Sequence, residues 1–137
     1  MDAITFVRPA ELAPDVPYAY ASVVDRGRLI FTAGACPIDQ HDQIVAPGDV
    51  AAQTAQVMAN LTAALAASGA GLSDVLKTTV YVASSRREDL VAAWDVVHDA
   101  FGDHDAPSTL LGVSVLGYEH QLVEVEAVAA VDPPSPR

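Results

Sequence analysis

The run Leu122-Val123-Glu124-Val125-Glu126-Ala127-Val128-Ala129-Ala130-Val131 restricts the fold more than any other stretch, because valines and alanines recur on both of its faces. Such a strand belongs inside a sheet, one face under helices and the other against a further apolar surface. A lone subunit is expected to expose an apolar sheet, so self-association is the simplest remedy. Glu124 and Glu126 share one side of this strand by its period of two. They read either as solvent-facing acids or, for Glu124 in so apolar a strand, as a carboxylate placed to act as acid or base.

The rest of the chain supplies the layers around that strand. Val50, Val57, Leu61 and Leu65 recur at helical spacing, which predicts a helix from Val50 to about Ala67, with Asp49 as N-cap and Gly69 as its stop. Val75 to Ala83 is a β-branched strand. Ser85-Arg86-Arg87-Glu88 reads as a capping box opening a second helix, whose apolar face is Leu90, Trp94, Val97 and Phe101 and whose end is Gly102. Val23-Val24 and Leu29-Ile30-Phe31 flank Asp25-Arg26-Gly27-Arg28 as a hairpin. Adding a short strand near Ile4 to Val7, and strands over Leu110 to Leu116 and Leu122 to Val131, gives the order βββαβαββ. This order implies an α+β fold, a mixed sheet with two helices packed on one face. With 51% hydrophobic residues in 137, residues 1–131 suit one domain, and the Pro-rich residues 132–137 read as a flexible tail.

Charge narrows the partners. Eighteen acidic residues against seven basic ones give a formal net charge of −11, a surface that repels phosphate backbones, so no nucleic-acid partner is expected. The apolar runs are too short to span a bilayer, and Met1-Asp2-Ala3-Ile4 lacks the regions of a signal peptide. Together with a single cysteine, Cys36, these features lead us to expect a cytoplasmic protein without membrane attachment. Cys36 reads as a small core residue rather than a nucleophile. His41, His98, His104 and His120 show no metal spacing, and Gly69-Ala70-Gly71 is a helix stop rather than a dinucleotide loop. Neither metal nor cofactor is expected.

Three segments together carry a resemblance. They are Tyr20 through Asp25-Arg26-Gly27 to Thr32-Ala33-Gly34; Leu72-Ser73-Asp74-Val75-Leu76-Lys77-Thr78-Thr79-Val80-Tyr81-Val82; and Pro107 to Ala127. In this order and without internal gaps they resemble the Rid family of reactive imine and enamine deaminases, over roughly Pro17 to Val131. The resemblance implies a homotrimer in which three sheets enclose a barrel, with small-molecule clefts between adjacent subunits. It implies a ligand-facing role for Tyr20, with Tyr18 as a nearby competitor, and for Gly34, whose backbone amide would approach the ligand. Ala33 stands where the family has a serine. Leu111 stands where it has a cysteine whose backbone carbonyl is used. Glu124 matches the glutamate that positions hydrolytic water or bonds the substrate nitrogen.

Thr109 is the departure, since the family has there an arginine that clamps the substrate carboxylate. A guanidinium grips a carboxylate through two parallel charged hydrogen bonds, which threonine cannot reproduce. Loss of one partner of a buried charge pair costs about 2–5 kcal/mol. The usual substrate, 2-aminoacrylate, would be poorly held. Either another cation takes over, with Arg86 and Arg87 as the first candidates, or the ligand lacks an α-carboxylate. The expected activity is hydrolysis of a small imine, enamine or related electrophile. The alternatives are a trimer that binds a small metabolite without turnover, or a dedicated biosynthetic member of the fold.

Overall fold

The computed structural model describes residues 4–133. Of the expected tail, Asp132 and Pro133 fall among the described residues and 134–137 lie outside them. The elements follow the βββαβαββ order: β1 (Thr5–Val7), β2 (Ala21–Val23), β3 (Arg28–Phe31), α1 (Val50–Ala67), β4 (Val75–Val82), α2 (Arg87–Phe101), β5 (Ser108–Gly112) and β6 (Val123–Val131), with one 3₁₀ turn, Leu72–Asp74, before β4.

β6 is central, as its composition requires. The main sheet runs β3-β6-β4-β5, with β6 antiparallel to both neighbours and β4 parallel to β5 across the α2 crossover. Val80 and Val82 of β4 and Val123, Val125, Ala127 and Ala129 of β6 join Val57, Leu61 and Leu65 of α1 and Ala93 and Val97 of α2 in one core. Alternate strand residues therefore meet both helices on the same face, which makes this an α+β fold. Leu61 and Leu65 have no solvent exposure, and burial of each such side chain is worth about 1.5–3 kcal/mol.

α1 begins and ends where its sequence signals stand. The Asp49 carboxylate accepts the Ala52 amide at 3.0 Å, and Gly69 takes φ +89° just past the end. At α2 the capping differs from expectation. Ser84, not Ser85, supplies the hydroxyl: its Oγ accepts the Arg86 amide at 3.0 Å and donates to the Asp89 carboxylate at 2.6 Å. The helix begins one residue later than the Ser85–Glu88 pattern implies, with Arg86 at the N-cap position and no side-chain cap of its own.

Two further expectations are corrected. β2 and β3 form no hairpin; β2 pairs with β1 in a separate two-stranded sheet, and β3 pairs with β6. The turn signal is local, whereas the pairing is decided at long range. Ile30 packs against the core from β3, while Ser22 Oγ donates to the Leu76 carbonyl at 2.6 Å and draws β2 elsewhere. β5 also starts and stops earlier than expected, at Ser108 and Gly112, so Thr109 lies within a strand. Gly112 marks the limit of that strand, since a Cβ there would stand 2.8 Å from the Ser84 carbonyl oxygen.

The uncovered face is not uniformly apolar. β6 presents Glu124, Glu126 and Val128 there, and β4 presents Lys77, Thr79 and Tyr81, all partly exposed. Apolar exposure is concentrated on the edge strands, at Leu29 and Phe31 of β3 and Leu111 of β5, with Phe31 72% exposed. Lys77 reaches this face through a β-bulge between Val75 and Lys77. Strict alternation from buried Val75 would have sent Lys77 into the core.

Candidate active site

Glu124 sits on β6 opposite Tyr81 of β4. A backbone bridge between Ala35 and Val125, with N···O distances of 2.7 and 3.1 Å, lays the 34–36 segment alongside β6. Ala35 packs towards the core, so Gly34 and Cys36 flank Glu124 on the other side. Gly34 is obligatory for space: a Cβ there would overlap Glu124 Oε2 and stand 2.5 Å from its Cδ. The room that glycine leaves is filled by the carboxylate itself.

Two side chains fix the Glu124 carboxylate. Gln121 Nε2 donates to Glu124 Oε1 at 3.0 Å, and Cys36 Sγ donates to the same oxygen at 3.3 Å. Burial, followed by the hydrogen bond and negative charge of Glu124, pushes the Cys36 thiol up to about 11. The thiol is therefore a proton-bearing donor at neutral pH and a poor nucleophile, but it is not the small core residue expected, since it is only partly buried and lines a cavity beside Gly34.

Helix α1 holds the chain on both sides of this carboxylate. The buried amide of Gln53 donates to the His120 carbonyl at 2.9 Å and accepts the Leu122 amide at 2.8 Å. Asn60 Nδ2 donates to the carbonyls of Cys36 and Ile38, both at 2.8 Å. His120, held in a left-handed turn at φ +67°, contributes this backbone contact rather than its ring. Gln53, Asn60 and Gln121 escaped the sequence reading. The available signal was the interruption of the α1 apolar stripe by two amides seven residues apart.

The second group of expected residues lies two strands away. Thr109 pairs with Thr79, which in turn pairs with Glu126; Leu111 pairs with Tyr81, which pairs with Glu124. Two inter-strand spacings separate β5 from β6, roughly 9–10 Å of backbone. Thr109 lines a cavity of about 460 Å³ with Pro17, Tyr18, Trp94, Ser108 and Leu110. Ala33, Gly34 and Cys36 line a different one, of about 450 Å³, with Asn60 and Tyr118. Within one subunit the two groups do not converge.

The cation beside Thr109 is Lys77. Its Nζ donates to Thr109 Oγ1 at 2.6 Å, and partial burial lowers its pKa from the ordinary lysine value. Arg86 and Arg87 instead open α2 beyond the opposite end of β4; both are exposed, and Arg86 makes only a 3.7 Å contact with exposed Glu88. Tyr20 turns its hydroxyl to the Ala13 carbonyl at 2.8 Å, leaving Tyr18, edge-on to it at 6.0 Å, in the Thr109 cavity. Among the described residues, no three His, Cys, Asp or Glu side chains gather as a metal-binding set, and no helix is long and apolar enough to cross a membrane.

A mixed sheet backed by two helices, with a glutamate seated over a glycine on its open face, defines the class: an α+β protein of the Rid type. The family model described as endoribonuclease L-PSP matches residues 10–131, and the chain belongs to this family. A RutC family protein of Pyrococcus horikoshii is 34% identical over 119 residues, covering 87% of this chain and 92% of the relative. The 2-iminobutanoate/2-iminopropanoate deaminase of Escherichia coli K12 is 40% identical over 72 residues, 53% of this chain and 56% of the deaminase. Among solved structures, the Rid-family protein YyfB of Yersinia pestis superposes with a TM-score of 0.87 at 29% identity, over 93% of this chain and 98% of that one. Escherichia coli TdcF, solved with bound serine, gives 0.67 at 28% identity, over 85% and 90%.

Proposed function

We propose that the protein is a cytoplasmic homotrimer that hydrolyses a small imine, enamine or related electrophile in clefts shared by neighbouring subunits. The observation that carries this reading is the Glu124 carboxylate, held by two donors over Gly34 on the uncovered sheet face. With a protonated imine, a carboxylate so placed takes a proton from water as the water oxygen adds to the C=N carbon and returns it to the nitrogen, so that the C–N bond breaks with loss of ammonia and the adduct's hydroxyl gives up its proton to leave a carbonyl. The separation of the Thr109 group from the Glu124 group supports a shared cleft, in which one subunit supplies the first and its neighbour the second. The similarity to an imine deaminase over about half of the chain points the same way.

Thr109 argues against 2-aminoacrylate as the substrate, because the bidentate grip on its carboxylate is missing. Lys77 beside Thr109 offers a single-point positive charge in its place, so weaker, less planar recognition of an acid is the form that carboxylate binding takes here. The word endoribonuclease in the family description is not carried over, given the net charge of −11.

The test is a purified-protein assay with an enzyme that generates imines in situ, supplying carboxylated and uncharged substrates in turn. Turnover lost in Glu124→Gln supports the reading; no rate above buffer with any imine defeats it. Ala33 in place of serine, together with Thr109, favours one second reading, a trimer that binds a small metabolite without converting it. Ligand-induced melting shifts without product would distinguish that case.

A further inference from the structure

The two oxygens of Glu124 are treated unequally. Gln121 Nε2 donates to Oε1 at 3.0 Å, and Cys36 Sγ, whose one proton also has the Gly34 carbonyl within 3.5 Å, lies closer to the same oxygen, at 3.3 Å. Oε2 lies over Gly34 and accepts no hydrogen bond from any described residue. No buried side-chain oxygen or nitrogen among the described residues lacks a partner, so Oε2 is not wholly enclosed.

The donors are themselves fixed. Gln121 is 4% exposed; its Oε1 accepts the Tyr118 amide at 3.1 Å, while its Nε2 also donates to the Val123 carbonyl at 3.1 Å. Only one orientation of this amide satisfies all three contacts, because the reverse would aim its oxygen at a carbonyl and a carboxylate. Cys36 is held through its own carbonyl by Asn60 at 2.8 Å. Each donor is thus seated by a bond to the main chain, independently of Glu124.

We infer that Gln121 and Cys36 are positioning residues that lock Glu124 Oε1 and leave Oε2 as the single oxygen that meets water or substrate, an inference that rests on the hydrolytic reading above. A carboxylate free to rotate would offer either oxygen at a range of angles. One locked in this way presents one lone-pair direction, which is how a base contributes orientation as well as basicity.

The experiment uses the full chain. Cys36→Ala lowers kcat for an uncharged imine about tenfold with KM within twofold, and Gln121→Leu does the same. Cys36→Ser restores at least half of the wild-type kcat by returning a donor. Cys36→Ala is the milder variant and carries the test if Gln121→Leu disturbs the turn at Tyr118. A second measurement needs no substrate: iodoacetamide alkylation of Cys36 at pH 9 is at least threefold faster in Glu124→Gln, since the thiol no longer faces a negative acceptor. A serine variant no better than the alanine variant, a loss confined to KM, or an unchanged alkylation rate overturns the inference. Absence of any wild-type turnover defeats the hydrolytic reading and the positioning role with it; the alkylation result then still reports whether the three side chains meet.

Discussion

Lys77 Nζ lies 2.6 Å from Thr109 Oγ1 and makes no ion pair with Glu126, although both side chains line one depression of about 260 Å³ on the open sheet face. Glu126 is occupied otherwise, accepting the Tyr81 hydroxyl at 2.5 Å. A lysine that leaves a nearby carboxylate for a neutral hydroxyl brings a cation to Thr109 on the edge strand.

Substitution at this pair is therefore expected to act on anionic substrates alone. Lys77→Met raises KM for a carboxylated imine about tenfold, the loss of one charge-assisted hydrogen bond, and leaves an uncharged imine within twofold. Thr109→Arg raises kcat/KM for the carboxylated imine at least tenfold if the bidentate grip is all that is missing. Steady-state kinetics on both substrates check the two variants together, and no gain in Thr109→Arg would mean that the cleft differs more widely.

Gly34→Ala places a methyl group into the Glu124 carboxylate. It lowers stability by about 1–3 kcal/mol, the usual cost of overpacking, and removes activity. In the double variant Gly34→Ala/Glu124→Ala the overlap is gone, so the stability cost of the glycine change shrinks below 1 kcal/mol. Urea unfolding of the four proteins of this cycle gives the coupling directly, and additive losses would contradict the geometry.

The Cys36 thiol gives a pH signature. Its pKa rises from 9.0 to about 11, with burial as the largest cause. The folded chain therefore holds a proton that the unfolded chain releases sooner. The sign follows: the contribution is intact below pH 9, and stability falls as pH rises from about 9 to 11. Cys36→Ser lacks an ionisable thiol, so its unfolding midpoint declines less over this interval. Denaturant midpoints at pH 8, 9.5 and 11 for both proteins decide the matter.

Ser84→Ala removes the hydroxyl that ties Arg86 and Asp89 together at the start of α2 and costs about 1 kcal/mol, whereas Ser85→Ala changes stability by less than about 0.5 kcal/mol. Thermal melts of the two variants separate the observed brace from the cap that the Ser85–Glu88 spacing suggests.

These contrasts show which information is local in this chain. The α1 boundaries were legible because Asp49 and Gly69 act on residues three or four positions away. The place of β6 was legible because its apolar content leaves it nowhere else to go, and its alternation put Glu124 and Glu126 together on the open face. The expected β2–β3 hairpin failed because Ile30 and Ser22 are claimed by distant partners. Lys77 ranked behind Arg86 and Arg87 as a candidate cation, since the bulge that turns it outwards leaves no mark in the alternation of Val75 to Val82. Cys36 meets Glu124 only once the 34–36 segment is bridged to β6, a contact between residues 88 positions apart that no spacing rule reveals, whereas Gln121 reaches Glu124 from three residues away.

The two amides of α1 have a mechanical consequence. Gln53 and Asn60 sit two turns apart on one helix, and they grip the two chain segments that flank Glu124, the 120–122 turn and the 36–38 stretch. A displacement of that helix therefore carries both segments with it.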